Sequence, residues 1–279
     1  MQSSTRHTSS KKRDRIQQGT SHTVEPRTYA SSAYWAERYS TAEGFHNWYY
    51  TFGDLQPLIF RALKRTGETL STCHALEIGC GDSPLLQDFC SAKGGQSRPD
   101  LHRLHGIDIA GNVIEHLKSR QAKHTLSELK FSCMDATRLE FSEKCFDLVI
   151  DKGTVDALMC EKDETKMTQV MRRLIGETLR VMKAKSAILL VSHMQPDSDQ
   201  FSQFISSCFI PALEAHPMSH SRSWCVESHA GNSVAGRAAV HIISCKERRT
   251  SSRLSSRAPN SSALSLSLSV LEYSDSDDD

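Results

Sequence analysis

The chain has 279 residues, a formal net charge of +1 and 38% hydrophobic residues, which is ordinary for a globular protein with one sizeable domain and favours no charged partner. Its nine cysteines are odd in number and form no C-x-x-C pair, so we expect neither a disulfide framework nor a metal site. The longest apolar run, 187–191, is far shorter than the ~20 residues that cross a bilayer, and no secretory signal follows the N-terminus, so we expect no membrane association.

The two ends of the chain differ from its centre. The first 28 residues carry six Lys or Arg against two acids, whereas residues 250–279 hold eleven serines and finish in acids. We expect both ends to be disordered, because they hold too few apolar residues to form a core. The predicted division is a basic tail at 1–29, a folded domain at 30–248 and a Ser-rich, acidic tail at 249–279.

Two further predictions concern the cellular location and a strand in the C-terminal tail. The cysteine pattern favours a reducing compartment, and we expect a cytoplasmic protein. The basic N-terminus has the composition of an organelle transit peptide, and Lys11-Lys12-Arg13 resembles a nuclear signal, so mitochondrial and nuclear locations remain alternatives. Leucine and serine alternate over 264–270, and this segment would form a strand only by pairing with a sheet edge.

An aromatic segment opens the folded domain. It runs from Tyr34 to Phe52 and holds much of the aromatic content of the chain. From Leu55 to Leu63 the apolar residues follow the i, i+3, i+4, i+7 spacing of an amphipathic helix that leads into the first predicted strand. The aromatic segment therefore lies close in sequence to that strand.

A glycine loop follows the first predicted strand. The apolar run that starts at His74 ends in Gly79-Cys80-Gly81, and Ser83-Pro84 predicts the start of a helix. Glycines on a strand-to-helix turn are typical of a nucleotide-like cofactor site, although an ordinary tight turn is the alternative. The dinucleotide fingerprint G-x-G-x-x-G needs a glycine at position 84, so the proline there argues against a phosphate cradle.

Beyond the loop, predicted strands and helices alternate. This order is the pattern of a parallel sheet with helices on both faces. A methionine-rich apolar stripe at 167–182 has helical spacing and predicts a core helix. A further helix is predicted from Phe201 to Pro211. The predicted strands are Leu104–Ile109, Leu129–Cys133, Phe146–Ile150 and Ala187–Ser192, followed by an antiparallel pair at Trp224–Val226 and Ala238–Ser244.

Acidic residues occupy the ends of three predicted strands, where ligands bind in open α/β sheets. Asp108 is placed to accept both hydroxyls of a ribose, with a helix N-cap as the alternative. Asp135 is placed to accept from the exocyclic amine of adenine, with Met134 or Ala136 against the ring, and a loop carboxylate is the alternative. Asp151 ends the fourth strand, where we expect it to face the bound cofactor.

Two motifs carry a resemblance to known enzymes. The pattern Glu77-x-Gly79-x-Gly81 resembles the first motif of the Rossmann-like methyltransferases, whose loop passes under the methionine part of S-adenosylmethionine (SAM). The stretch 146–158, FDLVIDKGTVDAL, is similar to the fourth-strand signature of a subgroup that contains the lysine methyltransferases of elongation factor 1-alpha and of citrate synthase. Tyr34-Trp35-x-x-Arg38-Tyr39 looks like that subgroup as well, and the resemblance spans roughly 30–248.

The resemblance implies both a fold and an activity. The fold is the α/β, Rossmann-like class I SAM-dependent methyltransferase, a mostly parallel seven-stranded sheet with helices on both faces and an antiparallel final strand. The implied function is N-methylation of a lysine on a protein substrate, with SAM as cofactor. The alternatives are a small-molecule methyltransferase and a non-catalytic binding module with this fold. Oligomeric state is not predicted.

The same resemblance names candidate site residues. A substrate lysine has an unperturbed pKa of ~10.4, so the site must take or disfavour its proton. We assign the orientation of the amine to Asp151, Tyr34, Tyr39 and Tyr49. No metal ligands are expected, and nucleic acid is not an expected partner because Asp151-Lys152-Gly153-Thr154 replaces a base-methylation motif. The predicted cofactor contacts are Trp35, Tyr39, Glu77, Gly79, Cys80, Gly81, Asp108, Ile109, Met134, Asp135, Ala136, Asp151 and Lys152.

Overall fold

The described part of the chain is nearly all of the predicted domain plus one later segment. The predicted basic tail lies outside it apart from Tyr29, and so does the predicted acidic tail apart from 265–271. The domain boundaries therefore stay predictions. The structure is a computed structural model, and it describes residues 29–41, 48–92, 103–122, 129–217, 221–230, 238–247 and 265–271.

Helices and strands alternate through the first half of the chain, as the sequence predicts. The second helix begins with a capping box, in which Thr51 and Asp54 satisfy each other's backbone N–H groups, and ends at a left-handed glycine, Gly67. The elements are α1 (Ser32–Thr41), α2 (Phe52–Thr66), β1 (Ala75–Ile78), α3 (Leu85–Ser91), β2 (Leu104–Asp108), α4 (Gly111–Gln121), β3 (Leu129–Cys133) and β4 (Phe146–Lys152).

The second half of the chain contains one helical segment that runs past its predicted end at Pro211. A π-helix precedes the proline, which then falls in the first turn of the next helix, where a missing N–H costs no hydrogen bond. The elements are α5 (Thr154–Leu158), α6 (Glu164–Val181), β5 (Met182–Ser192), α7 (Asp199–Gln203), the π-helix (Phe204–Phe209), α8 (Ile210–Ala215), β6 (Arg222–His229), β7 (Ala239–Glu247) and β8 (Ser265–Leu271).

The strands form one sheet in the order β3-β2-β1-β4-β5-β7-β6-β8. Neighbouring strands from β3 to β5 are parallel, and β7 is antiparallel to both β5 and β6. The predicted α/β fold, with its parallel sheet and antiparallel closing strand, is confirmed. The chain order reverses between β1 and β4, and ligands bind at such a switch point in open α/β sheets.

The eighth strand is a correction to the predicted disordered tail at 249–279. β8 pairs in parallel with β6, from Ser223↔Ser265 to His229↔Leu271. Without it, β6 would present an unpaired row of backbone N–H and C=O groups. Leu268 is 61% exposed and, among the described side chains of this strand, only Leu266 packs against the core, so backbone hydrogen bonds contribute much of what holds the strand. Composition missed it because the edge that receives the strand exists only in the folded sheet.

The core consists of two apolar layers, one on each face of the sheet. On one face β1, β4 and β5 pack against α2, α3 and α4, and on the other they pack against α6 and the segment 201–213. The predicted methionine stripe lies in the second layer as a core helix. Among the described residues, no helix is long and apolar enough to cross a membrane.

Two leucine-to-alanine substitutions test this division between core and edge. Leu189 is fully buried in β5, so Leu189→Ala should lower the free energy of unfolding by about 2–5 kcal/mol. Leu268→Ala on the exposed face of β8 should change it by no more than about 0.5 kcal/mol. Urea unfolding followed by circular dichroism measures both values. Equal losses in the two variants would contradict the assignment of the core.

Candidate active site

A cavity of about 330 Å³ opens at the carboxyl ends of the parallel strands. Its floor consists of residues that end or follow β1 to β5, and the aromatic segment around α1 forms its cover. From the floor the lining includes Gly79, Asp108, Ile109, Met134, Asp135, Ala136, Lys152, Asp156 and His193. From the cover it includes Tyr29, Trp35, Tyr39, Trp48 and Tyr49.

The glycine loop leaves no room for side chains. Gly79 and Gly81 have φ values of +61° and +53°, in the left-handed region that favours glycine. A Cβ on Gly79 would overlap the hydroxyl of Thr154, which donates to the carbonyl of Ile78 at 3.0 Å. A Cβ on Gly81 would lie 2.5 Å from the Tyr39 hydroxyl. The loop therefore runs bare along the cavity edge.

Asp108 joins the glycine loop to the end of β2. One carboxylate oxygen accepts the backbone N–H of Gly81 at 2.9 Å, and the other accepts that of Ala110 at 2.9 Å. Burial raises the pKa of Asp108, although these two donors oppose the shift. Each oxygen keeps a further lone pair, and the residue lines the cavity, so the predicted ribose contact stays a prediction that the geometry accommodates.

The β3 end supplies a polar loop and an apolar wall. Asp135 is exposed and accepts both the backbone N–H and the hydroxyl of Thr137 at 2.8 Å. Ile109, Met134 and Ala136 line the same part of the cavity. A flat heterocycle would find apolar surface and one carboxylate there, which is the arrangement predicted for adenine.

Two ionisable groups are buried beneath the loop. Glu77 is 1% exposed, and its carboxylate oxygens have no hydrogen-bond partner in the described part of the chain. Burial raises the pKa of Glu77 to about 8, with the nearby Lys152 ammonium acting against the shift. Lys152 donates to the carbonyl of Trp48 at 3.1 Å, and burial lowers its pKa. Glu77 and Cys80 do not line the cavity, whereas Lys152 does.

Asp151 lies where the predicted catalytic role does not place it. Successive residues of a strand point to opposite faces, and here Lys152 takes the cavity side. The Asp151 carboxylate instead accepts the backbone N–H groups of Thr154 at 3.0 Å and Val155 at 3.2 Å, which caps α5. Burial raises its pKa to about 7. Asp151 shapes the turn and does not line the cavity.

The three predicted tyrosines have different surroundings. Tyr34 packs edge-on against Tyr29 and Trp35, with ring centroids 4.9 and 5.2 Å apart, and does not line the cavity. Tyr39 lies over the glycine loop beside Trp35, and burial raises its pKa. Tyr39 and Tyr49 both line the cavity, and the Tyr49 hydroxyl donates to the Asp156 carboxylate at 2.5 Å.

Sequence reasoning missed Asp156 and His193. His193 directly follows β5, so the rule that singled out Asp108 and Asp151 at other strand ends could have found it. Asp156 belongs to the same signature as Asp151 and lies in the first turn of α5. Only the folding of this helix brings it to the cavity. Within the described residues, no group of His, Cys, Asp and Glu is arranged to hold a metal ion.

A family model described as a methyltransferase domain matches residues 70–248. The chain belongs to this methyltransferase family. The match covers the whole sheet except β8 and excludes the aromatic cover of the cavity. The cofactor of this methyltransferase is S-adenosylmethionine, as the Glu77-x-Gly79-x-Gly81 pattern predicts.

Curated relatives of the methyltransferase include lysine methyltransferases. The eEF1A lysine and N-terminal methyltransferase of Mus musculus is 30% identical over 60% of this chain and 22% of the relative. The mitochondrial citrate synthase-lysine N-methyltransferase of Danio rerio is 30% identical over 54% of this chain and 60% of the relative. The chain thus spans about a fifth of the length of the first of these relatives.

One solved structure illustrates the shared fold. Phosphoethanolamine N-methyltransferase 1 of Haemonchus contortus, in complex with phosphoethanolamine and S-adenosylhomocysteine, aligns with a TM-score of 0.50 at 12% identity. The alignment covers 81% of this chain and 51% of that chain. This likeness concerns the fold alone.

The residues present fit SAM. A bare glycine loop, the Asp108 carboxylate and the apolar wall at Met134 suit its aminoacyl, ribose and adenine parts in turn. When bound, SAM supplies a methyl group on a positively charged sulfur. Asp108 would accept the ribose hydroxyl hydrogens of SAM, and Asp135 would accept hydrogens of its adenine amine. The bare backbone at Gly79 would let SAM approach the loop closely, and Trp35 and Tyr39 would cover it.

The overlap at Gly79 generates a binding prediction. Gly79→Ala should weaken SAM binding at least about tenfold, because the added methyl group collides with Thr154 and strains a left-handed residue. Gly176→Ala is the matched control, since its Cβ meets nothing within 4 Å, and its affinity should equal that of the wild type. Isothermal titration calorimetry measures both. Wild-type affinity in Gly79→Ala would contradict the loop assignment.

The burial of Glu77 generates a prediction about pH. An unfolded glutamate releases its proton near pH ~4.3, whereas folded Glu77 holds it up to about pH 8, so the folded state binds more protons between these values. The free energy of unfolding should therefore fall as pH rises from 5 to 8, and Glu77→Gln should reduce that fall. Glu115→Gln, at an exposed position of α4, should keep the wild-type slope. Urea unfolding at several pH values decides, and identical slopes in all three proteins would refute the assignment.

Proposed function

We propose that this methyltransferase transfers a methyl group from SAM to the side-chain amine of a lysine on a protein. Its relatives named as lysine methyltransferases of eEF1A and of citrate synthase support this choice of acceptor. An elongation factor such as eEF1A is the first candidate substrate. We propose a cytoplasmic location with it, supported by nine cysteines that are all free thiols.

The observation that carries the proposal is the part of the cavity lining that is not predicted to contact the cofactor. It includes the aromatic side chains of Tyr29, Trp48 and Tyr49 and the Asp156 carboxylate. Aromatic faces attract cations, and a carboxylate pairs with an ammonium group. A long side chain that ends in an amine suits this part of the lining.

A phosphorylated small molecule suits the same cavity poorly. Among the described residues that line the cavity, Lys152 is the only lysine or arginine, and it is buried and bonded to the Trp48 carbonyl. Phosphate binding sites normally present arginine, lysine or a row of backbone N–H groups to the anion. The alternative of a small-molecule acceptor is therefore better suited to compounds without a phosphate group.

A labelling experiment tests the proposed function. Wild-type protein with methyl-tritiated SAM should label purified eEF1A, and amino-acid analysis of the acceptor should recover the label as methyl-lysine. Gly176→Ala should label at the wild-type rate, whereas Gly79→Ala should lose most labelling at limiting SAM, because it binds the donor weakly.

Citrate synthase and a protein-free extract of small molecules are the comparison acceptors. Label on citrate synthase alone would keep the reaction and change the substrate. Label only in the small-molecule extract would favour the alternative. SAM binding without label in any acceptor would favour the non-catalytic module and contradict the proposal.

A further inference from the structure

The Asp156 carboxylate accepts hydrogen bonds from several parts of the chain. It is 8% exposed, and it accepts the Tyr49 hydroxyl, the Ser192 hydroxyl and the backbone N–H of His193, the last at 3.1 Å. The imidazole Nδ1 of His193 lies 3.1 Å from its other oxygen. These donors come from the segment before α2 and from the end of β5, so one carboxylate ties the cavity cover to its floor.

The proximity of Asp156 favours one neutral form of the His193 ring. A carboxylate only accepts, so a neutral ring that donates to it carries its proton on Nδ1 and its lone pair on Nε2. The side chain of His193 is 47% exposed and lines the cavity. A carboxylate that orients an imidazole with its other nitrogen available is the arrangement of a general base.

The position of this pair suits the acceptor and not the donor. The predicted contacts with ribose and adenine lie at the ends of β2 and β3, on one side of the switch point. His193 follows β5, on the other side of β4, where Lys152 pairs with Val191. The predicted cofactor contacts at β2 and β3 and the pair after β5 therefore lie on opposite sides of the β4 end, which leaves the pair on the side available to an acceptor.

Neighbouring groups are less suited to take a proton. The Tyr49 hydroxyl already donates to Asp156, and burial raises its pKa. Lys152 donates to the Trp48 carbonyl. The thiol of Cys160, at the cavity edge, donates to the backbone carbonyl of Asp156 at 3.4 Å. His241, on β7, is held between the Ser228 hydroxyl and the Met194 carbonyl and does not line the cavity.

We propose that His193, oriented by Asp156, removes a proton from the amine of the substrate before methyl transfer. This inference rests on the proposed function, because it assumes an amine acceptor. An N–H bond of the substrate ammonium breaks, its proton goes to Nε2 of His193, and the electron pair stays on the substrate nitrogen. That nitrogen then forms a bond to the methyl carbon that SAM would supply, the carbon–sulfur bond breaks with its electron pair left on the sulfur, and the imidazolium returns its proton to solvent.

A direct measurement of the ring tests the orientation without any substrate. Nitrogen-15 NMR of the histidine rings in the full chain should show His193 with its proton on Nδ1, the resonance being assigned by its loss in His193→Gln. Asp156→Asn should lower that population, because the amide offers a donor in place of one acceptor oxygen. A proton on Nε2 in the wild type would overturn the inference.

Kinetics with tritiated SAM and eEF1A test the proton transfer. His193→Gln should lower kcat about 100-fold at pH 7 with unchanged SAM affinity. The ratio of wild-type to variant kcat should shrink as pH approaches the lysine pKa of ~10.4, since solvent then removes the proton, and a merely structural residue would show no such convergence. His116→Gln, at an exposed position of α4, should match the wild type.

The outcomes separate the two proposals. A variant ratio near one at pH 7, or one that stays constant with pH, overturns the role of His193 and leaves lysine methylation standing. A wild type that labels neither eEF1A nor citrate synthase overturns the proposed function and the proton transfer with it. In that case, a proton on Nδ1 still supports the Asp156–His193 pair as a built feature of the cavity.

Discussion

The site depends on the close approach of α5 to the end of β1. The Thr154 hydroxyl donates to the Ile78 carbonyl at 3.0 Å and occupies the space where a side chain at position 79 would begin. This contact joins α5, which follows β4, to the end of β1, at the point in the sheet where the chain order reverses. On one side of it Asp108 holds the glycine loop, and on the other Asp156 enters the cavity. The Thr154–Ile78 hydrogen bond therefore lies between the glycine loop and Asp156 and helps to position both.

Charge in the site is arranged in depth. Glu77 and Asp151 are buried and do not line the cavity, and burial raises the pKa of each carboxyl, while Asp135 and His193 line the cavity. Buried ionisable groups cost free energy unless they are paired or neutralised. Lys152 moderates this cost by standing beside Glu77 and also fixes the cover through Trp48. Lys152 therefore interacts both with the buried Glu77 carboxyl and with the aromatic cover of the cavity.

Sequence reasoning succeeded for features that local residue patterns specify. It failed where the role of a residue depends on the direction in which its side chain points in the fold. The strand Leu129–Cys133 has its predicted bounds, because the alternation of Leu129 and Phe131 with polar residues is a local property. Asp151 and Asp156 belong to one motif, and both are acids near a strand end. Their different roles follow from strand alternation and the direction of one short helix, which a linear motif does not display.

The sequence by itself determined the fold class, the cofactor loop and the acids at the ends of β2 and β3, because hydrophobic period and glycine placement are written residue by residue. Only the tertiary structure decided that 265–271 becomes β8, since pairing requires a free edge supplied by β6. It alone also brought together Tyr49, Asp156 and His193, which lie far apart in the chain. Contacts of that kind arise from long-range packing, and no local pattern specifies them.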